Sequence, residues 1–556
     1  MKSNNACGSV HRLAATLVCV ATPISATDTS ANIRWPQLKY WLAILPAVIL
    51  ILVGWFIPEF QPNEPGRVIS MRQFLDPSFP APDWLQVAGY DEDRLTIGFK
   101  ALLSPLWLLT SDALVVALLA RVIVWVLLLW SLVTLARAMT LSPYSLAWAL
   151  VLWVGLGQSL GAHEWFFNGV EGKCLAYALL LFSLAAILRG QMIWAAVLCG
   201  LSWWFHVPAA AWTTLALGGA LTLCFRHYGM KPLLQFSLIA GALLLPMVFV
   251  ALKYTSKSGL MGGNAYADWI VVVFRNPHHL DPNYFHGGIE FFKMSVCALI
   301  ALAGLRSLTS KPASWFLISF VIILLLEFGA GLLARKFDLF WYLKTYPFRV
   351  ADVLVWLFCC LSLPTVAHNL VSRFRGRNFS AESSLMFKRA GVALLWAVAT
   401  VCLSRGNVQD GRYGIRAFTE SWAQYARHID TPYKEMTRWV RTNTPKRAII
   451  ITGAWDGDFW LEAERAEIVN FKRNPHNGLA VEWYQRYSAL NGGPFHSIGF
   501  RTKSEIDANL PRLAQTQLDE IKKRYGGDYF LTTTARSDLR AQLVHENGVY
   551  YLYAFN

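Results

Sequence analysis

Long apolar runs alternate with short polar connectors between Tyr40 and Ser404, and successive connectors differ in charge. Every second connector is basic, and Glu382 is the only carboxylate in that set. The cations of the basic connectors are Arg137, Arg189, Arg226, Lys231, Arg306, Lys311, Arg373, Arg375, Arg377, Lys388 and Arg389. Because Lys and Arg accumulate on the cytoplasmic side of membrane proteins, this alternation predicts a multi-pass chain. Its acidic and aromatic connectors should then lie outside the cytoplasm.

The composition supports a polytopic membrane protein and limits the classes of partner. Hydrophobic residues make up 55% of the 556 residues, charged residues make up 15%, and the mean hydropathy is +0.37. The net charge of +15 lies largely in short connectors, which favours membrane orientation over nucleic-acid binding. The nine cysteines form no CxxC pair, so neither a disulfide framework nor a cysteine metal site is expected.

The apolar runs predict about eleven spans within residues 40–404, with the N-terminus inside and the C-terminus outside. We expect residues 1–39 to form a disordered cytoplasmic leader. The predicted spans are Tyr40–Ile57, Ala113–Leu135, Tyr144–Leu160, Cys174–Leu188, Ile193–Phe205, Ala209–Phe225, Leu233–Leu252, Phe291–Leu305, Ala313–Leu333, Val350–Leu370 and Gly391–Ser404. Large outer loops are expected at residues 58–112 and 253–290.

Residues 405–556 are polar and mixed in charge, and they are numerous enough for one extracytoplasmic α/β domain. The strand-like segments are Ala448–Thr452, Glu467–Phe471, Asp528–Thr533 and a terminal hairpin within Leu543–Phe555. Helical patterns lie at Ser421–Thr442, Val481–Ala489 and Leu510–Tyr525. The fold class is therefore a polytopic α-helical membrane protein with a C-terminal α/β domain.

The first outer loop carries Asp76 and Asp83 among several prolines that would fix the loop. A carboxylate just after the first span could serve a membrane enzyme as a catalytic base. The alternative is that these acidic residues only keep the loop soluble. Asp91, Glu92 and Asp93 fit solvated charge at a helix entry.

The second outer connector places His163, Glu164, Glu171 and Lys173 where the third and fourth spans meet the outer surface. Carboxylates at membrane depth are costly and are usually functional or paired. Glu171 and Lys173 could simply pair with each other. His206, in WWFHVP, is expected at the same face and could equally be a packing residue.

The loop 253–290 contains FRNPHHLDPNYFHGG, and its Arg275, His278, His279 and Asp281 predict an anionic headgroup site. Lys344 and Arg349, in LKTYPFR, could join it or could snorkel at the interface. The spacing of the histidines does not support a metal site. The sequence leaves the need for a divalent metal or another cofactor open. Arg121, inside the second span, has no obvious partner.

The predicted architecture, with about eleven spans, a first outer loop rich in carboxylates and a C-terminal outer α/β domain, resembles the GT-C superfamily. These are membrane glycosyltransferases that use sugars carried on polyprenyl phosphate. The passages GVEGKCLAY, WWFHVP, FRNPHHLDPNYF and YPFR are similar to those of uncharacterised bacterial polytopic membrane proteins. This resemblance implies a bacterial inner membrane location and a polyprenyl-phosphate-linked sugar as a partner. It leaves the acceptor unassigned.

A shorter similarity links residues 439–470 to the catalytic subunit of oligosaccharyltransferase, whose motif is Trp-Trp-Asp-Tyr-Gly. Trp455 and Asp456 match that motif, whereas Ala454, Gly457 and Asp458 depart from it. The paired Asp-x-Asp of that family is also missing, and His163-Glu164 stand nearby. These departures weaken the case for glycosylation of asparagine.

The resemblance implies a glycosyltransferase in which Asp76, Asp83 or Glu164 deprotonates an acceptor hydroxyl. The substrate would be held by Glu171, Lys173, His206, Arg275, His278, His279, Asp281, Lys344 and Arg349. The competing interpretation is a non-enzymatic transport or assembly factor for a lipid or polysaccharide, which binds an anionic headgroup at the outer face. Internal repeats and ionisable groups in the spans, typical of transporters, are scarce here.

Overall fold

The structure is a computed structural model, and it describes residues 38–61, 63–79, 83–90, 92–258, 264–285, 288–308, 310–375, 381–406, 413–454 and 458–555. The expected leader lies outside these residues, apart from its last two positions. Trp455 and Asp456, on which the similarity to oligosaccharyltransferase depends, also lie outside them.

The N-terminal two thirds of the chain are helical and strongly apolar. Four helices are long and apolar enough to cross a membrane: Ala113–Ala138, Met230–Leu252, Lys311–Lys336 and Arg349–Val371. Shorter apolar helices are Leu45–Trp55, Pro143–Leu156, Gly172–Leu188, Met192–Ser202, Val207–Leu223 and Ala390–Arg405. Each apolar helix satisfies its own backbone groups, as a lipid environment requires. The chain is an integral multi-pass membrane protein.

Small residues let some of these helices pack closely. Gly304, in the helix Gly288–Leu305, faces Ser362 of the helix Arg349–Arg375, and a Cβ atom on Gly304 would lie 2.3 Å from the Cβ atom of Ser362. Gly200 approaches Leu243 in the same manner, at 2.6 Å from its Cβ atom. Close backbone approach through small residues is a common basis of helix association in membranes.

The polar connectors contain further short helices. The long loop after the first apolar helices, predicted above as the first outer loop and called by that name below, contains Glu64–Leu75, Trp84–Val87, Glu92–Thr96, Ile97–Leu103 and Ser104–Leu108. Later connectors contain Phe225–Tyr228, Ala265–Trp269, Ile270–Arg275, Pro277–Leu280 and Phe340–Leu343. The segment expected as one span at Tyr40–Ile57 is two helices, Leu38–Ala43 and Leu45–Trp55, separated at Ile44 just before Pro46.

A buried ion pair ties the first outer loop to the helix Ala113–Ala138. Both Arg121 and Glu64 have fully buried side chains, and Arg121 Nε donates to Glu64 Oε1 at 2.7 Å. Arg121 also donates to the carbonyls of Trp55 and Ile57. Glu64 Oε1 accepts from the backbone N–H of Val170 at 2.9 Å. This pair supplies the partner that the sequence did not reveal for Arg121, and it joins three segments at one point.

The C-terminal region has a mixed sheet of five strands in the order β2-β1-β3-β5-β4. The strands are β1 Ile449–Ile451, β2 Ala466–Glu467, β3 Tyr529–Thr532, β4 Ala541–Glu546 and β5 Tyr551–Phe555. β1 is parallel to β2 and β3, whereas β5 is antiparallel to β3 and β4. The segments Ala448–Thr452 and Asp528–Thr533 and the predicted terminal hairpin therefore contribute to one sheet. The segment Glu467–Phe471 contributes only Glu467, because β2 ends there.

The helices around this sheet are Ile415–Ala426, Pro432–Asn443, Phe459–Ala463, Ala480–Leu490, Gly499–Arg501, Thr502–Asn509, Leu510–Arg512 and Gln515–Tyr525. The continuous helical pattern over Ser421–Thr442 is wrong, because the chain turns between Ala426 and Pro432. His428 has a φ of 52° there, and Thr431 caps the second helix by accepting from the Lys434 N–H. A helix boundary at a capping Thr followed by Pro is the usual local chemistry.

Candidate functional site

Four buried charges form a compact network at the connector 157–171. Lys173 Nζ lies 3.4 Å from Glu164 Oε1 and 3.4 Å from Glu171 Oε2. Arg349 Nε lies 2.7 Å from Glu164 Oε2, and Lys173 Nζ lies 3.8 Å from the centre of the Trp165 ring. Two carboxylates face two cations, so the network is electrically balanced. Balance of this kind is what makes buried charge tolerable.

A histidine and a backbone loop extend the network. His279 Nε2 accepts from Arg349 Nη2 at 3.0 Å, and His279 Nδ1 donates to the Ala162 carbonyl at 2.6 Å in this tautomer. Burial, and then the charge of Arg349, hold the pKa of His279 well below its ordinary value. Asp352 accepts from the backbone N–H groups of residues 160, 161 and 162 at 2.7–3.1 Å. The connector is thereby fixed to the helix Arg349–Arg375.

His206 lies close enough to the same network to be affected by the charges of Lys173 and Arg349. Its Nδ1 accepts from the Ala209 N–H at 3.2 Å and so caps the helix Val207–Leu223. Gly172 permits the approach, because a Cβ atom there would lie 2.2 Å from the Phe205 carbonyl oxygen. Burial, followed by the charges of Arg349 and Lys173, lowers the pKa of His206 to about 3. His206 is therefore neutral at physiological pH.

Arg275 and His278 face the C-terminal domain. Arg275 Nε donates to the Phe471 carbonyl at 2.7 Å, and its guanidinium lies 3.7 Å from the centre of the Phe471 ring. Burial lowers the pKa of Arg275 to about 10, which leaves it charged. The His278 ring lies 4.4 Å from the Phe500 ring, centre to centre. These contacts hold the domain against the loop 253–290.

Two other candidate residues are held in ion pairs. Lys344 forms a buried pair with Asp268 and lies 3.4 Å from the His476 carbonyl. Asp281 accepts from Arg335 Nε at 2.9 Å. These pairs position the connectors that carry Lys344 and Asp281, and each of the two charges has an opposite charge beside it.

The two carboxylates of the first outer loop differ in setting. Asp76 is exposed, and it accepts from the backbone and side chain of Ser78 within its own turn. Asp83 is buried, and its Oδ1 accepts from the Gln86 N–H at 3.0 Å in a capping box. Its Oδ2 pairs with Arg473 of the C-terminal domain. The structure thus separates two residues that the sequence could not distinguish.

A cavity of about 550 Å³ lies between the first outer loop and the C-terminal domain. Phe74, Pro77 and Trp460 supply apolar parts of its wall. Its cations are Arg67, Arg94, Lys100, Lys472 and Arg473. Among the residues that the structure describes, no Asp or Glu lines this cavity. We call it the basic cavity, and it is suited to an anion.

The basic cavity adjoins the balanced network. Asn63 lines the cavity and donates from Nδ2 to Glu171 Oε1. Arg67, another lining residue, acts electrostatically on both Glu171 and His206. Burial, and then the charge of Arg275, lower the pKa of Lys472 to about 7, while Glu171 opposes that shift. A ligand in the basic cavity would therefore lie beside Glu171 and His206.

Sequence analysis missed the cations of the basic cavity. They come from two segments nearly 400 residues apart, and each looks like an ordinary surface charge in the sequence. For metal binding, the described part of the chain holds no group of three or more His, Cys, Asp or Glu side chains that could share an ion.

Comparisons with known proteins give a family match over part of the C-terminal region and a structural similarity. The family described as Domain of unknown function (DUF6798) matches residues 431–490, which include Trp460, Lys472 and Arg473 of the basic cavity. No curated protein matches the chain.

Among solved structures, the chain is similar to ArnT from Cupriavidus metallidurans, described as bound to undecaprenyl phosphate. The similarity covers 93% of this chain and 97% of that chain, with 11% identity and a TM-score of 0.43. A similarity at this level assigns no substrate and no catalytic residue to this chain.

Proposed function

We propose that the protein is an integral membrane glycosyltransferase that takes a sugar from a polyprenyl-phosphate donor. The observation that carries the proposal is the basic cavity, where five cations meet and no described carboxylate lines the wall. Charge-assisted hydrogen bonds from Arg and Lys are the strongest that proteins offer to phosphate. The resemblance of the predicted architecture to GT-C enzymes supports the same donor class.

The cavity cations would stabilise the departing phosphate. In the transfer, the acceptor oxygen forms a bond to the anomeric carbon while the bond from that carbon to the phosphate oxygen breaks. The electron pair leaves on the phosphate, and the acceptor proton passes to a carboxylate. Cations already in place where negative charge develops lower the barrier without reorganising.

Asp83 is the carboxylate that best fits the role of base. Asp83 contacts Arg473 of the C-terminal domain and Gln86 of its own loop. Both of these residues line the basic cavity. Asp76 is bound to Ser78 in an exposed turn, and Glu164 is enclosed by Arg349 and Lys173. We therefore assign the role of base to Asp83. We assign to Glu164 the role of holding Lys173 and Arg349 in position.

The test is release of polyprenyl phosphate from a panel of polyprenyl-phosphate sugars by the reconstituted protein. Asp83→Asn keeps a side chain that can cap the helix at Trp84 but cannot take the proton. Loss of a positioned base lowers the rate by roughly 10²–10⁴-fold. Asp76→Asn and the exposed control Asp507→Asn should remain near wild type.

Full activity in Asp83→Asn would remove this residue from the mechanism and make Glu164 the next candidate. If the protein binds polyprenyl phosphate but cleaves none of the donors, the headgroup-binding transport or assembly factor becomes the better account. That alternative shares the basic cavity and lacks only turnover.

We further propose that the C-terminal domain and the basic cavity lie outside the cytoplasm. The support is the alternation of basic and acidic connectors along the chain. A phosphatase reporter fused after Asn556 should be active, and a fluorescent protein that folds only in the cytoplasm should be dark there. The reverse pattern would place the cavity on the cytoplasmic side.

A further inference from the structure

A second concavity lies on the C-terminal domain and has a different chemistry. Its volume is about 360 Å³, and it lies between the helices Ala480–Leu490 and Gln515–Tyr525. We call it the tyrosine groove, because three of its lining residues are Tyr266, Tyr484 and Tyr525. Concave sites lined by aromatic rings with a few polar groups are typical of small-ligand binding.

The aromatic rings of the groove are held in place by packing. Tyr266 is 49% exposed, yet its ring lies parallel to that of Trp269 and nearly perpendicular to that of Tyr484. The Tyr484 ring in turn meets the Phe274 ring edge-on at 4.8 Å between centres. Rings fixed in this way lose little conformational entropy when a ligand binds.

The polar groups of the groove are mostly neutral. Gln485, Ser488 and Gln517 line it, together with Glu520 and Arg524. Arg524 and Glu520 lie 3.5 Å apart and offset each other. In contrast to the basic cavity, the groove carries no net charge from its described lining residues. An uncharged ligand fits it best.

The polar groups that a ligand could reach in the groove are side-chain amides. Gln485 and Gln517 supply them. Ser488 also lines the groove, but its Oγ atom is buried and therefore is not offered to a ligand. The groove thus combines aromatic faces with side-chain amides.

We infer that the tyrosine groove binds a neutral oligosaccharide. A sugar presents C–H groups on its faces and hydroxyls at its edges. The tyrosine rings would pack against the faces, and the amides of Gln485 and Gln517 would bond to the hydroxyls. The neutral lining disfavours phosphorylated and acidic ligands.

A short path of contacts joins the groove to the basic cavity. Phe274 packs against Tyr484 of the groove, and its neighbour Arg275 bonds to the Phe471 carbonyl. Lys472, which follows Phe471, lines the cavity. Assignment of the groove as the acceptor site rests on the transferase function proposed above, whereas oligosaccharide binding itself does not.

The test uses the full-length protein in nanodiscs on an array of neutral and acidic oligosaccharides. At least one class of neutral oligosaccharide should bind, and acidic ones should bind more weakly. Tyr266→Ala should weaken that binding by about tenfold or more, because loss of an aromatic anchor is usually a large effect. Tyr266→Phe, which keeps the ring, should stay within about threefold of wild type.

Tyr550→Ala is the matched control, because Tyr550 is half-buried and does not line the groove. It should bind as wild type does. The inference is overturned if no neutral oligosaccharide binds above the level of Tyr266→Ala, or if an acidic one binds best. Binding of polyprenyl phosphate, measured on the same variants, should not change. A loss of phosphate binding in Tyr266→Ala alone would overturn the inference, because the variant would then act on the fold and not on the groove. Absence of phosphate binding in wild type would contradict the cavity assignment and leave the oligosaccharide result to decide on the groove.

Discussion

The balanced network and the basic cavity use the same residue types for different ends. In the network, Glu164 and Glu171 meet Lys173 and Arg349, and every charge has an opposite charge nearby. In the basic cavity, five cations share a wall that no described carboxylate lines. Paired charges hold segments together, whereas a concave wall with several cations and no described carboxylate favours an incoming anion. This difference is why we propose the cavity as the phosphate site.

The largest expected effect comes from breaking the buried pair of Glu64 and Arg121. Arg121→Met leaves Glu64 as a buried, unpaired carboxylate, which typically destabilises a protein by about 3–5 kcal/mol. We expect little folded protein, measured by monodisperse yield and thermal unfolding in detergent. Glu64→Gln/Arg121→Met should recover part of the loss. An unchanged unfolding temperature in Arg121→Met would show that charge pairing does not hold this region.

The cation Lys472 of the basic cavity has a pKa that is lowered to about 7. Below that pH the side chain is charged and attracts phosphate, and above it the charge is lost. Affinity for polyprenyl phosphate should therefore fall severalfold from about pH 7 to pH 8.5, a range in which the phosphate is already largely dianionic. Lys472→Met should flatten this dependence. Affinity that is equally pH-dependent in Lys472→Met would assign the titration to another group.

The smallest effect is expected at an exposed ion pair. Arg540 and Asp519 lie 2.8 Å apart, with side chains 77% and 45% exposed. Pairs of this kind contribute less than about 1 kcal/mol. Asp519→Asn should therefore barely change thermal unfolding or phosphate binding. A large change would mean that this exposed ion pair contributes as much to stability as the buried pairs do.

Local patterns predicted much of the fold. Apolar runs marked the helices, and turn residues marked the hairpin of β4 and β5. The ends of the predicted spans also led to the prediction that His206 lies at the same face as Glu164, Glu171 and Lys173. A shared face of this kind can be predicted from the order of apolar runs and connectors alone.

Contacts between distant segments could not be predicted in this way. Asp83 and Arg473 are 390 residues apart, and nothing local links them. Arg121 likewise reaches Glu64 through the packing of three segments. The basic cavity forms where the C-terminal domain packs against the first outer loop, because both segments supply its lining residues. Its five cations are ordinary surface charges until that contact forms.

The most direct test of the central claim is the affinity of the reconstituted protein for polyprenyl phosphate and for neutral polyprenol. Wild type should bind the phosphate at least about tenfold more tightly than the alcohol. Lys100→Met/Lys472→Met, which removes two cavity charges, should weaken phosphate binding by roughly 10–100-fold. Lys446→Met/Lys503→Met, which removes two exposed lysines outside the cavity, should not. Equal affinity of the cavity variant and wild type, or equal binding of the alcohol, would contradict the account.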